Sequence, residues 1–207
     1  MTALIAIAAV ALVAWFAAGT IWNVRRGHAV MRWMQEGLPL VGERTTVRWL
    51  GSSAVEMVIR EGKGPFASVT LIIFMEARDT PWMWALGRLR GRRDLLIARG
   101  VLKRAPKLEC EVLEVGSWSA REAQSRVPRE WAQENVGGLA IHGASAEARA
   151  FADSLLEHAT SVGLTIKRLS VSRNEPHFQI HVGLPGNGKP ADGFFTAVRD
   201  LAERVLA

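Results

Sequence analysis

The sequence predicts an α+β fold with one N-terminal transmembrane helix. Three observations lead to this prediction: an uncharged apolar run at residues 2 to 22, a hydrophobic period of two between residues 43 and 116, and mixed helix and strand patterns from 137 to 207. Of the 207 residues, 49% are hydrophobic and 22% are charged, as in a globular protein with one added apolar helix. The chain beyond the apolar run is long enough for one domain or two small ones.

The apolar run is the first predicted element. Its 21 residues contain no charged side chain. A helix of that length extends roughly 31 Å, the hydrocarbon thickness of a bilayer, and we therefore predict a transmembrane helix within residues 1 to 23. A cleaved signal peptide is the alternative, but it needs a basic segment before a shorter apolar core, and no Lys or Arg precedes the run.

The charges that follow the run predict its orientation. Arg25, Arg26 and Arg32 lie within ten residues of Trp22, whereas the N-terminal side carries only the α-amino group. Basic residues keep their side of a span in the cytoplasm, and an indole at a span's end contacts the headgroups. We expect a single-pass protein of the cell membrane, with the N-terminus outside and the soluble part in the cytoplasm.

An amphipathic helix is predicted next, over residues 24 to 37. Met31 and Met34 recur at helical spacing with Trp33 beside them, and Pro39 prevents the helix from continuing. We expect this helix to lie at the membrane surface, with Trp33 among its contacts.

Residues 43 to 116 predict a β-rich antiparallel unit. Strands are expected at 46–49, 55–60, 66–75, 94–103 and 107–115. The third is apolar on both faces and rich in β-branched residues, so it is expected to be central. In the last strand, Cys110 is expected to face the core as an inert thiol, while Glu109 and Glu111 face solvent.

Between two of these strands lies a segment with tryptophans at one end and arginines at the other. It contains Trp82, Trp84, Arg88, Arg90, Arg92 and Arg93. One interpretation is an interfacial element that contacts anionic lipid, in keeping with a formal charge of +6 and a pI of about 10.4. The other is a short helix that packs Trp82, Leu86 and Leu89 on the sheet. Nucleic acid is not an expected partner, because no RNA- or DNA-binding signature is present.

The C-terminal third predicts an α/β unit. Residues 117 to 136 are interpreted as a partly helical connector interrupted by Pro128, and residues 137 to 207 give the order β-α-β-β-α. Ser145 is expected to cap the first of these helices. The order is most of a ferredoxin-like unit, an analogy of architecture that carries no activity.

The sequence patterns associated with catalysis and cofactors all fail on inspection. The stretch 183 to 189 has phosphate-loop spacing, but Pro190 stands where a hydroxyl would hold magnesium. His177 and His181 would be about 13 Å apart on a strand, too far for one metal, and are expected to be exposed or at an interface. Glu114, with its acidic neighbours, is interpreted as part of a solvated face. We predict no catalytic residue, no cofactor and no metal.

The resulting functional hypothesis is a non-catalytic tether or protein-interaction module at the membrane surface. Its expected partners are the lipid bilayer and either another protein or a second copy of the chain, since Ala11, Ala14 and Ala18 lie close to one face of the span. The alternative is a membrane-tethered enzyme acting on an anionic or lipid-linked substrate, whose site would be assembled from residues distant in sequence.

Overall fold

The first helix, α1 (Thr2–Gln35), is continuous, so the predicted span and the predicted amphipathic helix are one element. The computed structural model describes residues 1–117, 120, 123–184 and 190–207. A 3-10 turn at Leu38–Leu40 follows α1 and carries Pro39 in its first positions, where a missing backbone donor is tolerated.

Nine strands form one antiparallel sheet in the described part of the chain. They are β1 (Thr45–Trp49), β2 (Ala54–Ile59), β3 (Phe66–Phe74), β4 (Leu95–Leu102), β5 (Cys110–Glu114), β6 (Ala132–Val136), β7 (Leu139–Gly143), β8 (Ile166–Val171) and β9 (Phe178–Gly183). Their order across the sheet is β1-β2-β3-β4-β9-β8-β5-β7-β6. The α+β class is therefore confirmed. Strands from both predicted units share one sheet, because β4 pairs with β9.

Among the described residues, helices with defined bounds after α1 are α2 (Pro81–Leu89), α3 (Ala146–Ser161) and α4 (Ala191–Leu206). Ser145 caps α3 as predicted, since its hydroxyl accepts a hydrogen bond of 3.2 Å from the backbone N–H of Ala148. The β-α-β-β-α order is present, but β5 lies between β7 and β8 in the sheet. The ferredoxin-like comparison stays a prediction.

One face of the sheet carries the main core. The second half of α1, together with α3 and α4, covers it, and Met34, Leu71, Ile180 and Phe195 are fully buried there. Gly37 is needed for this packing, because a Cβ at that position would lie 2.2 Å from the ring of Phe195. The second half of α1 is thus a structural part of the folded domain.

Strand β6 differs from the prediction of a helical connector. It pairs with β7 in a tight hairpin, and the two residues between the strands are Gly137 and Gly138, with φ of 56° and 83°. Two consecutive positive φ angles define the hairpin turn that matches strand twist. The glycine pair therefore specifies a strand in a stretch whose composition favoured helix.

The strand register defines two ends of the sheet. Phe74, Leu95 and Gly183 are aligned at one end, and Val69, Gly100 and Phe178 lie towards the other. The first, which we name the proximal end, contacts α1 around Gly19 to Gly27. Helix α1 then runs toward the distal end, where Gly42 bridges to Gly62.

Candidate membrane-facing surface

The first half of α1 projects beyond the sheet with its apolar side chains uncovered. Only 6% of its most apolar 18-residue window is buried, far less than in the core helix of a soluble protein. The exposed large side chains in this half are Leu4, Ile5, Ile7, Val10, Leu12, Val13, Trp15, Phe16, Ile21 and Trp22. By length and composition, α1 is the one described helix that could cross a membrane.

The folded domain first contacts α1 at Gly19. A Cβ on that residue would lie 2.2 Å from the backbone oxygen of Arg78, so only glycine allows the loop to approach the helix this closely. One turn earlier, the indole of Trp15 donates a 2.9 Å hydrogen bond to the same carbonyl. Gly27 makes a similar close contact two turns later, against Trp49 and Met75.

A buried polar network holds this junction together. Asn23, which is fully buried, donates its amide to the backbone oxygen of Glu76 at 3.0 Å and accepts from Arg78 at 3.1 Å. Asp94 then pairs with Arg78 at 3.0 Å and with Arg26 at 3.6 Å. Because the polar groups of Asn23 are satisfied on both sides, they fix the register of α1 against the domain.

Helix α2 lies beside this junction with an apolar face exposed. Trp82, Leu86 and Leu89 follow helical spacing, and each is at least 50% exposed, as is Met83. The interpretation that these side chains pack on the sheet is therefore wrong. The physical reason is that Pro81 starts α2 beyond the proximal end of the sheet, next to α1.

Trp84 is the residue that faces inward and fixes α2. Its indole donates a 2.7 Å hydrogen bond to the Glu76 carboxylate, and its ring centroid lies 6.0 Å from that of Trp15. The Arg88 guanidinium stacks over the same indole at 5.5 Å and reaches Glu76 at 3.9 Å. Trp84 thereby holds α2 against the exposed half of α1, and the apolar face of α2 stays exposed.

The basic residues follow directly at the end of α2. Gly91, with φ of 76°, turns the chain, and Arg93 donates to the backbone oxygens of Arg88 and Arg92. Arg90, Arg92 and Arg93 are exposed. The turn therefore carries concentrated positive charge beside an apolar helix face, as the sequence suggested.

Exposed apolar side chains elsewhere in the domain gather at the same end. Outside α1, the exposed large hydrophobic residues of the described chain are Val47, Leu50, Phe74, Trp82, Met83, Leu86, Leu89, Val115, Val136 and Val162. All except Val47 lie at the proximal end, in α2 or in the strand ends and connections that the register aligns there. The domain therefore has one apolar end, the one from which α1 projects.

The remaining predicted interface residues occupy different environments. Trp22, Arg25 and Arg32 are exposed, consistent with a flank in contact with headgroups or water. Trp33 instead packs against Phe194, with ring centroids 5.8 Å apart, and belongs to the edge of the core. The apolar face predicted for residues 24 to 37 is present on α1, but at Trp33 it packs against protein and not against the membrane surface.

Glu111, which was predicted to face solvent, is buried, and so are His177 and His181, which were predicted to be exposed or at an interface. Glu111 pairs with Arg168, and burial raises the pKa of this carboxyl despite that partner. The Nδ1 atom of His177 accepts a 3.0 Å hydrogen bond from the backbone of Leu102, while His181 lies inside the sheet's second face. Residues 120 and 123 pack on Leu113, which shares that face with Glu111, and so help to bury it.

Cys110 is buried in the core as predicted, and burial raises the pKa of its thiol to about 12. Among the described residues, no group of three His, Cys, Asp or Glu side chains could hold a metal. Most of the phosphate-loop-like stretch, residues 185 to 189, lies outside the described residues.

A cleft of about 390 Å³ lies between α3 and α4. Its lining is His158, Asp200, Glu203, Arg204 and Ala207. Titratable side chains are one feature expected of the enzyme alternative, but Ala207 is the one apolar residue among those that line this cleft. The cleft is formed by the C-terminal end of α4, away from α2.

Two comparisons with known proteins, by family model and by sequence, gave no match. No protein-family model matches the chain, and no curated protein matches its sequence significantly.

Proposed function

We propose that the chain is a single-pass membrane protein whose folded domain is docked on the bilayer by a second apolar element, α2. The observation that carries the proposal is that the exposed half of α1 and the exposed face of α2 lie side by side, joined by Trp15, Trp84 and Glu76. Both surfaces leave large apolar side chains about half or more exposed, as expected for a lipid contact.

The position of α2 along α1 adjusts the predicted boundary of the span. Helix α2 contacts Trp15, which lies about 10 Å before Trp22 along the helix axis. If the apolar face of α2 is buried about 5–10 Å into the boundary between headgroups and acyl chains, Trp15 lies just inside the hydrocarbon, which residues 2 to 18 cross as about 26 Å of helix, within the range for a span. Trp22, Arg25 and Arg26 then lie on the domain side of the hydrocarbon.

The arginines after α2 supply the electrostatic part of this contact. Each basic residue near an anionic leaflet contributes roughly 1 kcal/mol. Arg90, Arg92 and Arg93 extend from the same element as the exposed apolar face, so both kinds of contact act together. The domain would be oriented with its proximal end on the cytoplasmic leaflet, acting as a tether or as a platform for a protein partner.

The test uses two single-cysteine labels on the full chain in liposomes. Leu89→Cys places an environment-sensitive fluorophore on the most exposed large hydrophobic residue of α2, and Ala105→Cys places it on an exposed loop at the distal end. Native Cys110 does not compete, because burial raises its thiol pKa to about 12. We expect a blue-shifted emission that is quenched by brominated lipid at position 89 and neither effect at position 105.

Equal, water-like emission at both positions would exclude docking through α2. The Ala105→Cys chain also tests the orientation: an impermeant maleimide should label it in inverted vesicles but not in intact cells. Labelling of intact cells would reverse the proposed topology.

A further inference from the structure

The second face of the sheet, opposite the main core, carries a row of polar side chains across its central strands. Register places Arg99 opposite Gln179, Gln179 opposite Ser170, and Ser170 opposite Glu111. In the next row His181 lies between Ile97 of β4 and Arg168 of β8. Four adjacent strands, β4, β9, β8 and β5, thus contribute to one cluster that lies outside the membrane-facing surface.

His181 is the centre of this cluster, and one of its two ring nitrogens has no hydrogen-bond partner among the described residues. The side chain is 6% exposed, and its Nε2 faces the amide nitrogen of Gln179. With the Gln179 amide in this orientation, its nitrogen donates to Nε2, and the matching neutral tautomer of His181 carries its proton on Nδ1. Among the described residues, Nδ1 has no hydrogen-bond partner.

Arg99 provides a second unpaired donor beside it. Its Nε is buried and likewise has no partner among the described residues. Arg168 is paired with Glu111, so the cluster holds two arginines against one carboxylate. Burial of the ring, together with the positive charges of Arg168 and Arg99, lowers the pKa of His181 to about 3. An anionic acceptor would satisfy these buried donors and offset the excess positive charge at the same time.

We propose that this face binds a small oxyanion, of the phosphate type, between Arg99, Arg168 and the Nδ1–H of His181. A phosphate oxygen accepts several hydrogen bonds at once and would satisfy donors from adjacent strands. Arg99 lies four residues from Leu95 at the proximal end, about 13 Å along the strand, so a free oxyanion fits better than a bilayer headgroup.

The experiment titrates inorganic phosphate into the full chain in nanodiscs of zwitterionic lipid, monitored by calorimetry. We expect saturable binding in the wild-type protein and at least a tenfold weaker affinity in Arg99→Gln. Arg48→Gln is the matched control, because it removes the same charge from an exposed residue of β1 that is paired with Glu56. The control should bind phosphate like the wild type.

A second measurement uses only the wild-type protein, so its result does not depend on whether a variant folds. Phosphate should shift the ¹⁵N resonances of the His181 ring in the wild-type protein, with the same saturation curve as the calorimetry. The proposal is overturned if the wild type shows no saturable binding, if a folded Arg99→Gln binds equally well, or if the His181 ring does not respond. A response that appears only when anionic lipid is added to the nanodiscs would assign the site to a headgroup and would also overturn it.

Discussion

The two halves of α1 share one continuous backbone and have opposite environments. Residues 2 to 18 leave their large apolar side chains exposed, whereas the second half buries Gly19, Asn23, Gly27, Val30 and Met34 along one face. The buried positions recur every three or four residues, which is the period of a single helical stripe. Apolar content alone therefore does not show where on this helix the contact with the folded domain begins. The close contact begins at Gly19, because a glycine there lets the backbone of Arg78 come close to the helix.

The buried stripe also explains how a rigid orientation is transmitted from the apolar half to the domain. Gly19 and Gly27 admit the domain's backbone and side chains, and Asn23 between them is hydrogen-bonded on both sides. A helix that is uninterrupted from residue 2 to 35 has no hinge at the end of its apolar half. The proximal end of the sheet and α2 are therefore held at a fixed position along the axis of α1, relative to its apolar half.

The largest expected effect comes from comparing two truncated chains, one that lacks all of α1 and one that keeps its residues 20 to 35. A chain beginning at residue 38 lacks Val30 and Met34, which belong to the main core, and we expect it not to fold. Loss of one large buried side chain costs about 2–5 kcal/mol, and several such losses exceed the marginal stability of a domain. A chain beginning at residue 20 keeps both residues and Asn23, and should fold.

Circular dichroism and cooperative thermal unfolding of the two truncated chains measure this difference. If the chain from residue 38 unfolds cooperatively with the stability of the chain from residue 20, the second half of α1 is not part of the core, and the comparison between the two halves fails.

A smaller effect is expected from filling the closest contact. Gly19→Leu places a side chain against the carbonyl of Arg78, where backbone cannot move aside as a flexible side chain would. We expect the full chain in detergent to lose about 3 kcal/mol of unfolding free energy, at the upper end of overpacking. Ala14→Leu is the control in the exposed half and should change stability by less than about 0.5 kcal/mol.

Urea titrations of the three proteins, followed by tryptophan fluorescence, give the unfolding free energies. Equal destabilisation by both substitutions would show that helix association in the detergent, and not contact with the domain, limits the size of residue 19.

Most of the secondary structure could be predicted because the hydrophobic period and the capping or turn residues indicate the same elements. The alternation of Val55, Met57 and Ile59 predicts β2, and Ser145 with Gly163 brackets α3. The environment of Trp33 could not be predicted in this way. A periodic apolar face predicts that something covers it, and only the fold decides whether that is lipid or, as here, Phe194.

The polar clusters could not be predicted for a related reason. Glu111 alternates with core residues, as a solvated residue does in a strand with one buried face. Here the second face is covered as well, and the partner of Glu111 is Arg168, 57 residues away in sequence. Asn23 lies next to an apolar run without any local signal of its role. Such groups are identified by partners brought together from distant strands, which neither spacing nor composition encodes.

The smallest effect in this series tests the polar part of the junction. Asn23→Ala removes one of two donors to the backbone oxygen of Glu76, which keeps the backbone N–H of Arg78 at 2.8 Å, and it removes an acceptor from the Arg78 guanidinium; together these losses should cost about 1–3 kcal/mol. Gln35→Ala, an exposed residue at the end of the same helix, should stay within about 0.5 kcal/mol of the wild type. Hydrogen exchange of the α2 amides separates two outcomes. If the network fixes the register of α1 against the domain, Asn23→Ala speeds exchange in α2 as well as in α1. Faster exchange in α1 alone would mean that Trp15 and Trp84 are sufficient to hold α2 in place.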